Sequence, residues 1–536
     1  MEKNAAGQAA AETASGQEAA DDGDAGSRIR AARKALAPVP DVTGLALGTR
    51  HAVTTRAMCV HDDCMDLSRG QPIPVYYQLK TLLIEEILSG VYGTDGRLPT
   101  EQELCERFGL SRTPVTHALT DLATEGVVLR RRRHGTFVNP HWLARRADSA
   151  EVRVLMPAPS RWEGHLRTTS PGARLSVAGT ELNDLHGLFV RAVAEGRAPD
   201  LAVLDSVWIA EFAASGFLWP LEELDAAWVA DELHRDFLEP FVDAHRIDGV
   251  TLAVQAEMDV AGMWYERAAV PDGPRTWAEL QETGRRLAGT RGGPVLVMPA
   301  GPSADEFATY CLVALLASND ARVLGPDVVA LDSPASVEAM RLLRALADDK
   351  VLSTDAFGHE RDRPIQMLAK GETLMAFGGS YEAISLARHT GLPVDAVTDT
   401  FGFMPVPAGP RGHASALVGG FVYCIPRQAK RPAAAMEVLK SAVDAHAMAR
   451  FFAGTGQIPT RRSAVAELVG SSPFHAFTAG LLDGAVTRPV TPAYALVSAQ
   501  LRAMQEAVLT ARLSPEHAVS RAADLISAVT GLPVAH

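Results

Sequence analysis

Apolar residues recur at helical spacing from Val75. The set Val75, Leu79, Leu82, Leu83, Ile87 and Leu88 predicts an amphipathic helix that stops at Gly90. A second start signal follows at Leu98-Pro99-Thr100-Glu101, with Thr100 as N-cap and Glu103 as its capping-box partner. That short helix, through Cys105 and Phe108, ends at Gly109, a residue suited to a left-handed C-cap. Ser111 then caps a third helix, with Pro114 in its first turn and Val115, Ala118, Leu119 and Leu122 as its buried stripe. Gly126 ends it. Two strand-like segments, Val127–Leu129 and Gly135–Val138, flank a turn holding Arg130 to Arg133 and His134.

Beyond a linker at 141–150 the pattern changes to strands alternating with helices. Strands are expected at Val152–Met156, Leu201–Leu204, Val295–Met298, Leu374–Phe377, Phe401–Val406 and Phe421–Ile425. Such alternation over 151–536 reads as α/β with largely parallel sheets. Residues 1–68, rich in Ala, Gly, Asp and Glu, have too little apolar surface to offset ordering entropy and are expected to be disordered. Met58 and Met65 are alternative starts to Met1.

The net charge of −13 excludes a protein that coats nucleic acid over its whole surface, so a basic module has to be local. Five scattered cysteines fit a reducing cytoplasm. Cys59 and Cys64, flanking His61, lack the second ligand pair of a structural zinc site, so no metal and no cofactor is expected. No apolar run is long enough to span a membrane, and the first residues carry no secretory pattern.

Helix, glycine turn and capped helix form a helix-turn-helix, whose second helix reads the major groove with its N-terminal residues. Those residues are Ser111, Arg112, Thr113, Thr116 and His117. Arg112 can donate two hydrogen bonds to guanine. The hairpin tip, with Arg131, Arg132, Arg133, His134 and the backbone at Gly135, suits phosphates or the minor groove.

Residues 72–138 resemble the winged-helix domain of the GntR family of bacterial regulators. The resemblance rests on Pro74-Val75-Tyr76-Tyr77-Gln78-Leu79, on Leu98 to Leu104, on Phe108 to Val115, and on Ala118-Leu119, Leu122, Glu125-Gly126 and Gly135-Thr136-Phe137-Val138. It covers a domain at 69–140. It implies DNA-contacting roles for Arg97 and Arg112, and a homodimer on a two-fold symmetric, double-stranded operator; Thr100, at the start of the same helix-turn-helix, is a further DNA-binding candidate. Thr116 departs from the family pattern, which has a further arginine there.

The long unit carries Gly249 to Leu280, Lys370 to Tyr381, Phe403-Met404-Pro405-Val406-Pro407 and Gly456-Gln457-Ile458-Pro459-Thr460-Arg461. In this order they resemble the sugar-type, maltose-binding-like solute-binding proteins of ABC importers. The implied architecture is multidomain: an α+β winged helix-turn-helix followed by a two-lobed α/β, periplasmic-binding-protein-like (type 2) domain. Crossovers between the lobes are expected near 259–261 and 403–405.

Ligands of open α/β sheets sit beyond the carboxyl ends of the strands. That rule nominates Trp162, Asp205, Ser206, Trp208, Glu257, Asp259, Ser303, Asp305, Gly379, Ser380, Tyr381, Gly420 and Phe421. Aromatic faces and carboxylates together suit a sugar. Trp264 and Trp277 are expected to be packing residues. Three readings compete: a ligand-controlled transcription regulator, the binding component of a sugar importer, and a winged helix fused to a pyridoxal-phosphate aminotransferase-like domain. The last needs a Schiff-base lysine, and Lys350, Lys370, Lys430 and Lys440 lie in turn-like or exposed settings. No nucleophile elbow, zinc-protease or P-loop motif is present, so the regulator reading, non-enzymatic, is preferred.

Overall fold

The computed structural model describes residues 74–535, apart from 89, 94, 143–150, 159, 302–303, 355–360 and 483–484. The segment 1–68 with its alternative starts, the linker from 143 and Ser303 lie outside the described residues.

The first domain holds α1 (Val75–Leu88), α2 (Glu101–Phe108) and α3 (Arg112–Thr124), followed by the antiparallel pair β1 (Val128–Arg131) and β2 (Gly135–Val138). Leu79, Leu83, Leu104, Val115, Leu119 and Leu122 form its core. The predicted capping box is present: Thr100 Oγ accepts from Glu103 N, and Glu103 Oε2 accepts from Thr100 N at 2.7 Å. Gly109 turns the chain at φ +61°, and its N–H donates to Cys105 O. Ser111 occupies the N-cap position of α3 in extended conformation, but its side chain makes no capping bond, so that part of the expectation fails. One buried cation was not foreseen: Lys80 Nζ lies under α3, 2.5 Å from Glu125 Oε1.

The second domain has two lobes. Lobe 1 is built on β3 (Val152–Pro157), β4 (Leu175–Thr180), β5 (Leu201–Asp205), β6 (Ala253–Gln255) and β12 (Phe421–Cys424), in the order β4-β3-β5-β12-β6. Its helices include α4 (Trp162–Thr169) and α5 (Leu182–Ala194). Lobe 2 is centred on β7 (Glu257–Glu266), flanked by β8 (Leu296–Val297), β9 (Met375–Gly379), β10 (Phe401–Met404), β11 (Leu417–Gly419), β13 (Ile458–Pro459) and β14 (Val486–Thr487). Helices α6 (Asp305–Ala317) and α7 (Tyr494–Leu509) pack on it.

Two expectations need correction. The sheets are mixed rather than largely parallel. In lobe 2, β9, β10, β11 and β13 all run antiparallel to β7, because β7 enters from the other lobe against their direction. The crossovers also lie elsewhere: 259–261 and 403–404 are inside strands of the lobe 2 sheet. The chain changes sheets at Ala256, between β6 and β7, and at Gly420, between β11 and β12. Gly420 is needed there. Its φ is +139°, and a Cβ would fall 2.3 Å from Glu257 O on the neighbouring crossing strand. Among the described residues no helix is long and apolar enough to cross a membrane.

Candidate DNA-reading surface and interlobe cleft

The N-terminal end of α3 and the hairpin form one exposed basic face. Ser111, Arg112, Thr113 and His117 are exposed, and Thr116 is half-buried. Between α3 and the hairpin stands Glu101, at the start of α2. Its Oε2 accepts from Arg112 Nε at 3.3 Å and Thr116 Oγ at 3.1 Å, and its Oε1 accepts from Arg130 at 2.5 Å. Burial pushes the Glu101 carboxyl up, but these three bonds outweigh it and hold it below its ordinary value. The carboxylate therefore organises cations without neutralising the face. His117 stacks on Tyr76 with ring centroids 4.0 Å apart.

Arg131, Arg132, Arg133 and His134 are exposed at the hairpin tip. The Arg131 guanidinium lies over the Phe137 ring, which aims it. The Arg97 side chain runs along the hairpin, with Nε 3.5 Å from where a Gly135 Cβ would sit. Thr100 is committed to its cap, leaving its backbone near the surface.

A cavity of about 190 Å³ lies between the lobes. Of the nominated residues, Asp205, Trp208, Asp259, Asp305, Tyr381, Gly420 and Phe421 line it. The others are placed differently. Trp162 is buried in lobe 1 against Tyr423 and Phe451, with ring centroids 5.6 and 4.8 Å away, because α4 turns its first residue onto the sheet. Glu257 is buried away from the cavity, where its Oε2 accepts from Gln457 Nε2 at 2.5 Å. Burial and the neighbouring Asp259 push its carboxyl up to about 8. Gly379 O accepts from Trp264 Nε1, and Ser380 Oγ accepts from Val260 N, so both are structural. Ser206 faces a separate small pocket with His245 and Gln255. Trp264 and Trp277 are buried, as expected of packing residues.

Several lining residues escaped the strand-end rule because helices and loops supply them. Glu306 and Tyr310 come from one face of α6; Tyr494, Ser498 and Arg502 come from one face of α7; Asn183 and His186 come from α5. Polar residues three or four apart along these helices were a legible signal. Arg361 has none: it reaches the cavity from a loop, over the rings of Phe307 and Tyr381.

The central group is Arg488, just after β14. Its Nη2 is 2.9 Å from Asp205 Oδ1 in lobe 1, and its Nη1 is 2.8 Å from Glu306 Oε1 in lobe 2. Burial works against its charge, but the two carboxylates hold it protonated. Glu306 also accepts from the Tyr494 hydroxyl and, at 2.8 Å, from Ser498 Oγ. Asp259 Oδ1 accepts from the Tyr310 hydroxyl at 2.7 Å. Burial raises both Asp259 and Glu306. The cavity thus offers aromatic faces at Trp208, Phe307, Tyr381 and Phe421 among charged hydrogen-bonding groups. That combination can hold a compact ligand with both C–H faces and hydroxyls.

Two family models match. Residues 169–476 match the bacterial extracellular solute-binding protein family. Residues 75–138 match the bacterial regulatory proteins, gntR family. The HTH-type transcriptional repressor NagR of Bacillus subtilis is 41% identical over 75 residues, which are 14% of this chain and 31% of that protein. The chain therefore spans under a third of that relative's length, and 33% of another Bacillus subtilis regulator, YurK. A putative binding protein of Brucella abortus is 22% identical over 368 residues, covering 66% of this chain and 86% of that one. Among solved structures, maltose-bound MalE3 of T. maritima is 23% identical with a TM-score of 0.62, covering 70% of this chain and 99% of that one. A solute-binding protein of Thermotoga lettingae bound with alpha-D-tagatose is 20% identical with a TM-score of 0.65, covering 72% and 100%. These two share the fold.

Proposed function

Because the chain belongs to the family of bacterial extracellular solute-binding proteins and carries a gntR-family winged helix at its head, we propose that it is a transcription regulator whose operator affinity is set by a sugar held between its lobes. The observation that carries this reading is the union, in one chain, of an exposed arginine-rich reading face and an interlobe cavity lined by aromatic and charged groups. A winged helix contributes few base contacts, so the working form is a homodimer on a two-fold operator. Arg97, Arg112, Thr113 and Thr116 read or orient, while Arg131 to Arg133 and His134 hold phosphates. The protein acts as a cytoplasmic repressor released by its ligand; the relative named as a repressor supports the sign.

Ligand shifts such an equilibrium only by its differential affinity for the two states, and about 1–3 kcal/mol of coupling changes operator affinity roughly 5–150-fold. The importer reading leaves the winged helix without a role. The aminotransferase-like reading is not favoured, because the matching family models are those of solute-binding proteins and gntR regulators.

The test is a thermal-unfolding screen of the full chain against sugars and polyols, followed by operator binding with and without any hit. A ligand at about 100 times its Kd stabilises the sensor by ~2.7 kcal/mol. A saturable shift that also weakens operator binding supports the reading. Operator affinity unchanged at saturating ligand would sink it.

A further inference from the structure

Helix α5 joins the ligand cleft to the winged helix. At its N-terminal end Leu182, Asn183 and His186 line the cavity. His186 Nε2 lies 3.0 Å from Oε2 of the buried Glu211, and its ring packs against Trp208, itself a lining residue, and Phe212. From Asn183 to Ala194, at about 1.5 Å per residue, the helix carries this end roughly 16 Å away from the cleft.

At the far end the chain turns at Gly196 directly beneath the first domain. A Cβ there would lie 3.0 Å from Trp142 Cζ2 and 3.1 Å from Ile84 Cδ1. Ile84 belongs to α1, and Trp142 follows the hairpin. Two further observations place α1 beside the same lobe. Tyr77 packs against the cluster that contains Leu185 and Phe189 of α5. Glu85 is half-buried, its carboxyl pushed up to about 8 by burial while the charge of Arg427 in lobe 1 pulls it back.

An adjoining face of α1 holds the reading helix. Lys80 Nζ pairs with Glu125 beyond the end of α3, and Tyr76 stacks on His117 within α3. Adjacent residues on α1 thus face different partners: Tyr77 the lobe, Tyr76 the DNA-reading helix.

We infer that α5 is the element through which the winged helix reads the cleft: contact at Asn183 and His186 moves α5, and the packing of Gly196 against Ile84 and Trp142 passes that movement to α1 and on to α3. Close-packed helices move as bodies and resist bending, so a small shift at one end appears at the other. Control then runs through a packed interface rather than through the linker alone. The inference rests on the reading of the cleft as a ligand site.

The test is amide hydrogen exchange of the full chain with no ligand added. His186→Ala, at the cleft end of α5, is expected to speed exchange in α1 by about threefold or more. Arg502→Ala, on the lobe 2 wall of the same cavity, is expected to leave α1 unchanged. Adding Ile84→Ala at the far contact should remove the response of α3 to His186→Ala. If His186→Ala fails to fold, Asn183→Ala, at an exposed position on the same helix face, makes the same comparison. An α1 unmoved by either α5 variant, or moved equally by Arg502→Ala, overturns the inference. A sugar screen without a hit overturns the ligand reading instead, and the exchange response distinguishes the two failures.

Discussion

Two carboxylate–arginine clusters sit in this chain with similar bonding and different surroundings. At the exposed basic face of the winged helix Glu101 gathers Arg112 and Arg130, and the Arg112 side chain is 83% exposed. In the cleft Arg488 gathers Asp205 and Glu306, and its own side chain is 5% exposed. Distances of about 3 Å occur in both, so geometry does not separate them. Solvent does. An exposed pair is worth about 0.2–1 kcal/mol, because water and salt compete for both partners. Its arginine can exchange a carboxylate for a phosphate or a guanine at little cost. A buried pair, by contrast, costs about 3–5 kcal/mol when one partner is removed, because the other charge is left without compensation. On the proposed function, the first cluster is the one DNA would open. The second ties the lobes together.

That contrast can be broken most directly at Arg488. Arg488→Ala is expected to destabilise the sensor by about 3–5 kcal/mol in denaturant unfolding, and a loss below about 1 kcal/mol would erase the distinction. Trp162→Ala, in the lobe 1 core, should cost about 3–5 kcal/mol as well. It sharpens the comparison because Trp162 does not line the interlobe cavity: any ligand found by the screen should still bind at unchanged affinity wherever lobe 1 stays folded.

Arg112→Ala should leave unfolding unchanged and weaken operator binding by about 1–3 kcal/mol, measured by titration at fixed salt. Equal weakening on all sequences would assign it to the phosphate backbone instead. Thr100→Ala removes the cap of α2 and should cost roughly 1 kcal/mol of winged-helix stability. A pH effect is read separately from these. Glu257 stays protonated in the folded protein up to about 8, whereas the unfolded carboxyl ionises near its ordinary 4.5. The unfolded state therefore loses its proton first, and stability falls as pH rises across that window. Glu257→Gln should reduce the slope measured by unfolding at pH 5, 6, 7 and 8, while Glu85 and Glu382, raised in the same way, keep part of it.

The winged helix was legible because its rules are local. A capping box, a left-handed glycine and a proline in a first turn are decided within one or two helical turns, and Thr100, Gly109 and Pro114 took their expected places. Even here Ser111, placed by the same logic, makes no cap bond. The strand segments of the sensor were also local enough to find, since Val152, Leu201, Met375 and Phe421 each lie in an observed strand.

The cleft was legible mainly where a lining residue lies at or beside a strand end, as Asp205, Tyr381, Gly420 and Phe421 do. Trp162 and Glu257 satisfied the same rule and were drawn into the interior, because the direction of a side chain at a strand or helix end depends on what packs above it. By itself the sequence determined a winged helix followed by a solute-binding-type unit and the chemistry available to each. Only the tertiary structure decided that Asp205, Glu306 and Arg488, far apart in the chain, share one buried charge network, and that α5 runs from that cavity to the winged helix. The physical reason is range: hydrogen bonds that cap a turn act between neighbours, whereas burial and desolvation depend on every segment that closes around a group.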